Sequence, residues 1–566
     1  MKSPPNNALD ALDWPWEKYE PYFEELAERK LDSDKLKDWM LDWSHMEKLL
    51  NEVEHRLWVA TTVNTTDKKA AEMYHTFLDK VYPPAKTAGQ KLKEKLLDSG
   101  LEPENFAVQL REMRTQADLY REENLPLLSE DKKMDTVYDK IVGDQTVEWE
   151  GKDITLIKLH LVQQDQDREK REKSWRLAME RWQQDRQAID ELWVKFMNVR
   201  GQIARNAGYD SYRDYRWREM LRLDFTPEDC LRFDESIEKA AVPAALRAYE
   251  RRKERLGLDR LRPWDLYVDP LKREPLRPYK ELTELIDKCS TILHKVDPEL
   301  GGYFDIMREE GLLDLENRKG KGPSAYCIEY QLAKRPFIFM NAVGLHEDVQ
   351  TLLHESGHAF HVFEASHLPY FHQLIYGFEI AEVASTSMEL LTAPYLLEDE
   401  GGFYSMKEAA RARIEHLEEY LLFWPYMAVV DSFQHWVYEN HEAASDPANC
   451  DAHWTTLWDR YMKGVDWSGL EVEKASGWHR KLHIFEDPFY YVDYGLAQLG
   501  AVQVWANSLR DQAEAVRKYR SGLALGATRP LPELFEACGA KLAFDAETLG
   551  EVVGLIEQTI QELEMI

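Results

Sequence analysis

The chain has 566 residues, 44% hydrophobic, 31% charged and 11% aromatic, with 18 Trp and 27 Tyr, a composition that excludes a disordered chain or a fibre. Lys plus Arg number 72 and Asp plus Glu 103, so the formal charge of −31 argues against partners with phosphate backbones or anionic lipid surfaces. The five cysteines are scattered and form no C-x-x-C pair, no run approaches the roughly 18 apolar residues of a membrane span, and the N-terminal stretch turns acidic and aromatic where a secretory signal needs an apolar core. A cytoplasmic protein without disulfides is expected.

In chain order, residues 14 to 195 carry charged stretches such as DSDKLKDWMLDWSHMEKLLNEVEHRLW, where apolar residues recur at three and four, so amphipathic helices packed antiparallel are expected. Pro83 with Pro84, Pro103 and Pro126 mark breaks between them. TVEWEGKDITLIKLHL reads as a strand or turn, and the charged run from Asp165 to about Arg200 as a solvated helix face. The chain divides on this reading into an N-terminal helical region, 1–195, and a second region, 196–566. GLDRLRPWDLYVDPLKREPLRPYKEL has too many prolines for one helix and reads as an extended connection. Lys319 to Pro323 form a candidate mobile loop. Phe337, Ile338 and Phe339 form a strand-like run, and Pro336 before them suits an edge strand. The C-terminal third is again helical, so the fold class is mainly α.

Six of the 17 histidines, His346, His354, His358, His361, His367 and His372, fall within 27 residues. Among them stands His354-Glu355-Ser356-Gly357-His358. On a helix, side chains four apart project from nearly the same angle, so His354 and His358 offer two imidazoles to one ion. Glu355, about 100° round the helix, reaches a water on that ion without ligating it. With 17 His and 103 acids in 566 residues, such a pattern arises by accident in about one chain in ten, so on the motif alone histidines that merely make hydrogen bonds remain the bland alternative.

A catalytic zinc needs a third protein ligand and an open position. A third histidine six residues on is absent, since Glu364 stands there. A carboxylate from a second helix is the other solution, and GFEIAEVASTSMELLTAPYLL puts Glu379, Glu382 and Glu389 on one helical face. Glu382 is the expected ligand, Glu389 a carboxylate that orients an imidazole, and Glu379 the rival ligand; the ordinary reading of each is a solvated glutamate. A hydrolase also needs donors for the oxyanion formed when water attacks a carbonyl. WHRKLHIFEDPFYYVDYG brings His479, His483, Tyr490, Tyr491 and Tyr494 close together, and Tyr491 and Tyr494, three apart, are expected to point the same way. Packing is the commoner use of such tyrosines.

The chain resembles the thimet oligopeptidase and oligoendopeptidase F group of zinc metallopeptidases, and the oligoendopeptidase F branch most. The resemblance rests on PFIFMNAVGLHEDVQTLLHESGHAFH, EIAEVASTSMELL and HIFEDPFYYVDYG, more weakly on LGLDRLRPWDL and SAYC, with DREKREKSW as a faint echo. It implies one zinc per chain held by His354, His358 and Glu382, water activation by Glu355, and substrate binding and oxyanion stabilisation by His483, Tyr491 and Tyr494. The interval from His483 to the tyrosines is one residue shorter than in the thimet branch, which leaves open which tyrosine does what. The implied fold is a helical ellipsoid split by a deep substrate channel, with a small sheet beside the zinc whose run 337–341 is an edge for an extended peptide. The implied activity is cleavage of internal bonds in short unfolded oligopeptides, with no nucleic-acid or membrane partner and no stated oligomeric state. A metallo-exopeptidase of similar architecture and a non-catalytic helical peptide-binding protein with a structural zinc are the two rivals.

Overall fold

The three-and-four spacing near the N-terminus is realised as α1 (Leu36–Val63), which buries Trp39, Trp43, Met46, Leu49, Val53 and Leu57 on one face. The computed structural model describes residues 3–322 and 324–566 and is 69% helical with two small sheets. Proline breaks fall where a missing N–H costs nothing: Pro83 and Pro84 sit in the first turn of the helix Tyr82–Ser99, Pro126 in that of Asn124–Gly143, and Pro103 in the connection to Ala107. TVEWEGKDIT forms the antiparallel hairpin β1 (Thr146–Trp149) and β2 (Lys152–Thr155). Its two-residue turn uses Glu150 and Gly151 at φ 52° and 76°, the left-handed pair that matches strand twist.

The charged run becomes α2 (Arg168–Asn206), 39 residues long. It is not a wholly solvated face, because Arg171 and Arg200 are buried. Arg171 and Arg168 each give an Nη2 donor to Asp265, at 2.9 and 2.8 Å, so DREKREKSW meets the RPWDL of the proline-rich passage. Buried guanidinium is tolerated there because it is paired and hydrogen-bonded. Beyond it, α3 (Pro227–Leu256) starts on a Thr226–Asp229 capping box and stops at Gly257, whose φ of 65° suits the residue without a Cβ.

A three-stranded sheet follows, made of β3 (Leu313–Glu316), β4 (Tyr326–Tyr330) and β5 (Arg335–Ala342) in the order β3-β5-β4, with β3 parallel and β4 antiparallel to β5. The run Phe337–Phe339 is therefore in the central strand, and the expectation of an edge is corrected: β3 and β4 hold the edges. Pro336 fits a central strand because successive N–H groups alternate sides. The Ile338 N–H bonds Leu312 O at 2.9 Å, so position 336 faces the same side, before β3 begins its pairing at Leu313.

From above, α1 closes on this sheet: the Trp58 and Tyr326 rings lie 4.5 Å apart, Thr62 Oγ1 and Tyr326 OH 2.5 Å, and His55 Nδ1 and Glu329 O 2.8 Å. Of the expected mobile loop, Pro323 lies outside the described residues; Lys321 Nζ donates to Asp314 Oδ1 at 3.0 Å and Met340 O at 2.5 Å, and Gly322 N–H to Thr62 O at 2.7 Å.

The remainder is helical and carries the chemistry: α4 (His346–Ala365), α5 (Phe378–Thr392), α6 (Met406–Glu439) and α7 (Tyr491–Ser508). One apolar core unites α2, α3, α6 and α7, and a second unites β5 with α4 and α5. All five cysteines are free, and among the described residues no helix is long and apolar enough to cross a membrane.

Candidate metal centre and active site

The His-Glu motif lies in the middle of α4, whose N-terminus is fixed by Asp348. Its Oδ2 accepts from the N–H groups of Val343, Gly344 and Leu345 at 2.7–2.8 Å and from Tyr279 OH at 2.5 Å, which satisfies donors that a helix start leaves orphaned. Gly357 sets how close α5 comes: a Cβ there would stand 2.5 Å from Ala384 O and Ser385 Cα. With only hydrogen at that point the two helices cross in contact, and Glu382 of α5 arrives beside His354 and His358.

One donor atom from each of His354, His358 and Glu382 falls within 4.8 Å of the others, and His354 Nε2 is 3.6 Å from Glu382 Oε2. The imidazoles are 5.0 Å apart at 82°. Glu389, one helical face along α5, bonds His354 Nδ1 at 2.5 Å and His416 Nε2 of α6 at 2.6 Å, with Tyr420 OH at 3.3 Å. That bond to Nδ1 turns Nε2 of His354 towards Glu382. Two imidazole nitrogens and a carboxylate oxygen, facing a cavity and backed by an orienting carboxylate, are a donor set that fits zinc with a position left for water.

Charge follows the same geometry. Burial disfavours an imidazolium at His354, but the hydrogen bond and charge of Glu389, with Glu382 and Glu355 nearby, outweigh it and raise the pKa to about 9. Burial would raise Glu389, yet hydrogen bonds from His354 and His416 pull it down to about 2. His358 is held well below the ordinary imidazole range by burial and by His354 and His361, so it keeps a lone pair. Glu355 is pushed up to about 7 by burial, against the pull of His354.

These residues line a cavity of about 1030 Å³, walled on one side by Tyr326, Cys327 and Glu329 of β4 and on another by Tyr490 and Tyr494. A second cavity of about 640 Å³ shares Tyr490 and Tyr494 and adds His483, Arg222 and Glu379. The model of peptidase family M3 matches residues 161–552, taking in the walls of the first cavity and every residue of the His-Glu cluster. The chain belongs to peptidase family M3. This is a family of zinc metallopeptidases.

Among relatives of this M3 chain, the oligopeptidase PepF of Bacillus subtilis is 25% identical over 57% of the chain and 47% of the relative, and an oligoendopeptidase F homolog of Borreliella burgdorferi 24% over 56% and 53%. The chain thus matches about half the length of these curated relatives. Solved structures are similar across nearly their whole length: a PZ peptidase A with an inhibitor at TM-score 0.84 and 27% identity, covering 99% of this chain and 98% of that one, and an oligoendopeptidase F from Enterococcus faecium at 0.60 and 17%, covering 99% of each, which shows the fold alone.

The M3 site draws together some of the residues named from the sequence and leaves others aside. Glu379 lies in the second cavity, 3.7 Å from Arg222 Nε, and outside the His354–His358–Glu382 group. His483 and Tyr494 line cavities; Tyr491 lines neither, being 6% exposed and packed on Phe423 and Tyr426 with Lys481 Nζ 3.7 Å from its ring centre. Tyr490 takes the cavity position, 5.2 Å from Tyr494 ring to ring. Residues four apart diverge by about 40° on a helix and residues three apart by about 60°, which favours that pairing. Of the remaining histidines, His361 stacks on Tyr376 at 3.6 Å, His372 packs on Trp43 at 4.7 Å and His479 meets Asp190 at 2.9 Å, while His346 reaches the cavity rim and bonds Tyr404 OH at 2.7 Å. His416 and Tyr420 were not singled out from the sequence; their four-residue spacing on one helix was the available signal.

Proposed function

We propose that this chain is a zinc-dependent endopeptidase that hydrolyses internal bonds of short oligopeptides, with its chemistry in residues 196–566 and the N-terminal helices of 1–195 walling the cleft. The observation that carries the reading is the grouping of His354, His358 and Glu382 with the buried base Glu355 on the floor of a large cavity. When held by His354, His358 and Glu382, zinc supplies Lewis acidity towards the attacking water and the scissile carbonyl. Glu355 accepts the proton of the attacking water and later passes it to the leaving amine. Tyr494 and Tyr490, whose phenols burial keeps protonated, and His483 are the donors within reach of the developing oxyanion. Tyr491, buried behind them, positions Lys481 and the aromatic wall.

Endo specificity is supported by room on both sides of the site, since the cavities of about 1030 and 640 Å³ meet at Tyr490 and Tyr494. The edge of β4 supports binding of an extended peptide by main-chain hydrogen bonds. A ladder of peptides of graded length, both ends blocked, tests the reading by mass spectrometry with and without chelator. Internal cuts confined to the short members and abolished by chelator are expected. Cleavage only of unblocked peptides would favour an exopeptidase, and no cleavage by folded, zinc-loaded protein a binding module.

A further inference from the structure

We propose that the chain holds a second metal site, a buried structural zinc site made by Cys230 of α3 with Asp431 and His435 of α6. Cys230 Sγ, a carboxylate oxygen of Asp431 and a ring nitrogen of His435 lie within 4.8 Å of one another. The three residues are 0%, 0% and 1% exposed. Asp431 and His435 are four apart, so they stack on one face of α6, and Cys230 comes from the first turns of the helix packed against that face.

The independent observation is what these side chains lack. Neither carboxylate oxygen of Asp431 and neither ring nitrogen of His435 has a hydrogen-bond partner, and His435 Nε2, 3.3 Å from Asp431 Oδ2, is out of hydrogen-bonding alignment with it. Buried polar groups are nearly always satisfied, and buried charges are paired or bound to metal. Among the surrounding groups, Arg222 Nη2 donates to Asp493 at 2.5 Å and Phe489 O at 2.7 Å while its Nε and Nη1 have no hydrogen-bond partner, and Ser432 donates to Asp234 at 2.5 Å. Asp234, one turn along α3 from Cys230, leaves its other oxygen free. Trp217 and Phe489 close over the His435 ring at 6.0 and 5.2 Å, so bulk water does not fill the deficit.

Zinc suits this donor set. Thiolate, carboxylate and imidazole are its usual protein ligands, and none of the three residues lines either cavity described above, as befits a structural site rather than a catalytic one. A thiolate and a carboxylate carry two negative charges and a neutral imidazole none, so a dication leaves the buried cluster neutral. The site would pin α3 to α6 behind the cleft, and it does not depend on the peptidase reading.

Metal analysis of the purified full chain, dialysed against metal-free buffer, provides the test. His358→Ala should empty the first site and still carry one equivalent of zinc, with a sulfur scatterer at about 2.3 Å in its zinc X-ray absorption spectrum. Adding Cys230→Ser should remove that equivalent. Should a variant fail to fold, the unmutated chain is still decisive, because it should carry two equivalents with sulfur bound to half of the zinc. His354, His358 and Glu382 contain no sulfur donor, so loss of the first site and absence of the second read differently. Zinc bound only through nitrogen and oxygen, or a His358→Ala protein without zinc, would overturn the proposal.

Discussion

Glu389 accepts hydrogen bonds from His354 and His416 at once, at 2.5 and 2.6 Å, and its removal should be felt at the metal. Glu389→Gln should weaken zinc binding about 10–100-fold, measured by competition with a chromogenic chelator. Glu355→Gln should instead keep zinc and lower kcat about 10²–10⁴-fold, since it removes only the proton acceptor. The same pairs set a pH dependence in chelated protein. His354 sits at about 9 against an ordinary 6.5, so its contribution to stability is complete below pH 6.5 and is lost as pH rises through about 9. Glu389 sits at about 2 against 4.5, so its contribution is present above pH 4.5 and is lost as pH falls through about 2. The melting temperature of metal-free protein should therefore fall between pH 6.5 and 9, and zinc-loaded protein should be spared that fall because the ion takes the place of the proton. The proposed ligand pair and base were legible because five consecutive residues carry them. His416, sixty-two residues from His354, became legible only when α6 crossed α5.

The crossing of α4 over α5 turns on one hydrogen. Gly357→Ala puts a Cβ 2.5 Å from the backbone of Ala384 and Ser385, which no side-chain rotation relieves. Overpacking of this kind costs about 1–3 kcal/mol, and because Glu382 rides on the displaced helix, zinc affinity should fall with the melting temperature. Unchanged metal affinity in the Gly357→Ala protein would show that the site tolerates helix separation. At the same scale the sequence misled in two places. Pro336 reads as an edge marker because it lacks a donor, yet that loss is harmless when the neighbouring strand starts later. Tyr491 and Tyr494 read as partners by spacing, but Tyr490, one turn before Tyr494 and itself in helical backbone conformation, shares the cavity with it, while Tyr491 is taken by the aromatic wall.

Across the whole molecule, helix spacing and proline positions made the mainly α fold readable, since both are local signals. Contacts between distant segments were not: Arg168 and Arg171 find Asp265 nearly a hundred residues away, and α1 finds β4 across some 260. These long pairings explain a limit on dissection. Residues 161–552 carry the family likeness, yet Val59 of α1 is packed into one cluster with Tyr330, Phe337 and Phe339 of the sheet. A fragment beginning at residue 161 would bare that apolar face, so it should bind a hydrophobic dye and associate in sedimentation experiments where the full chain does not. The stretch that the family model matches is shorter than the stretch that packs together, and a cut placed at its boundary would pass through the middle of a packed unit.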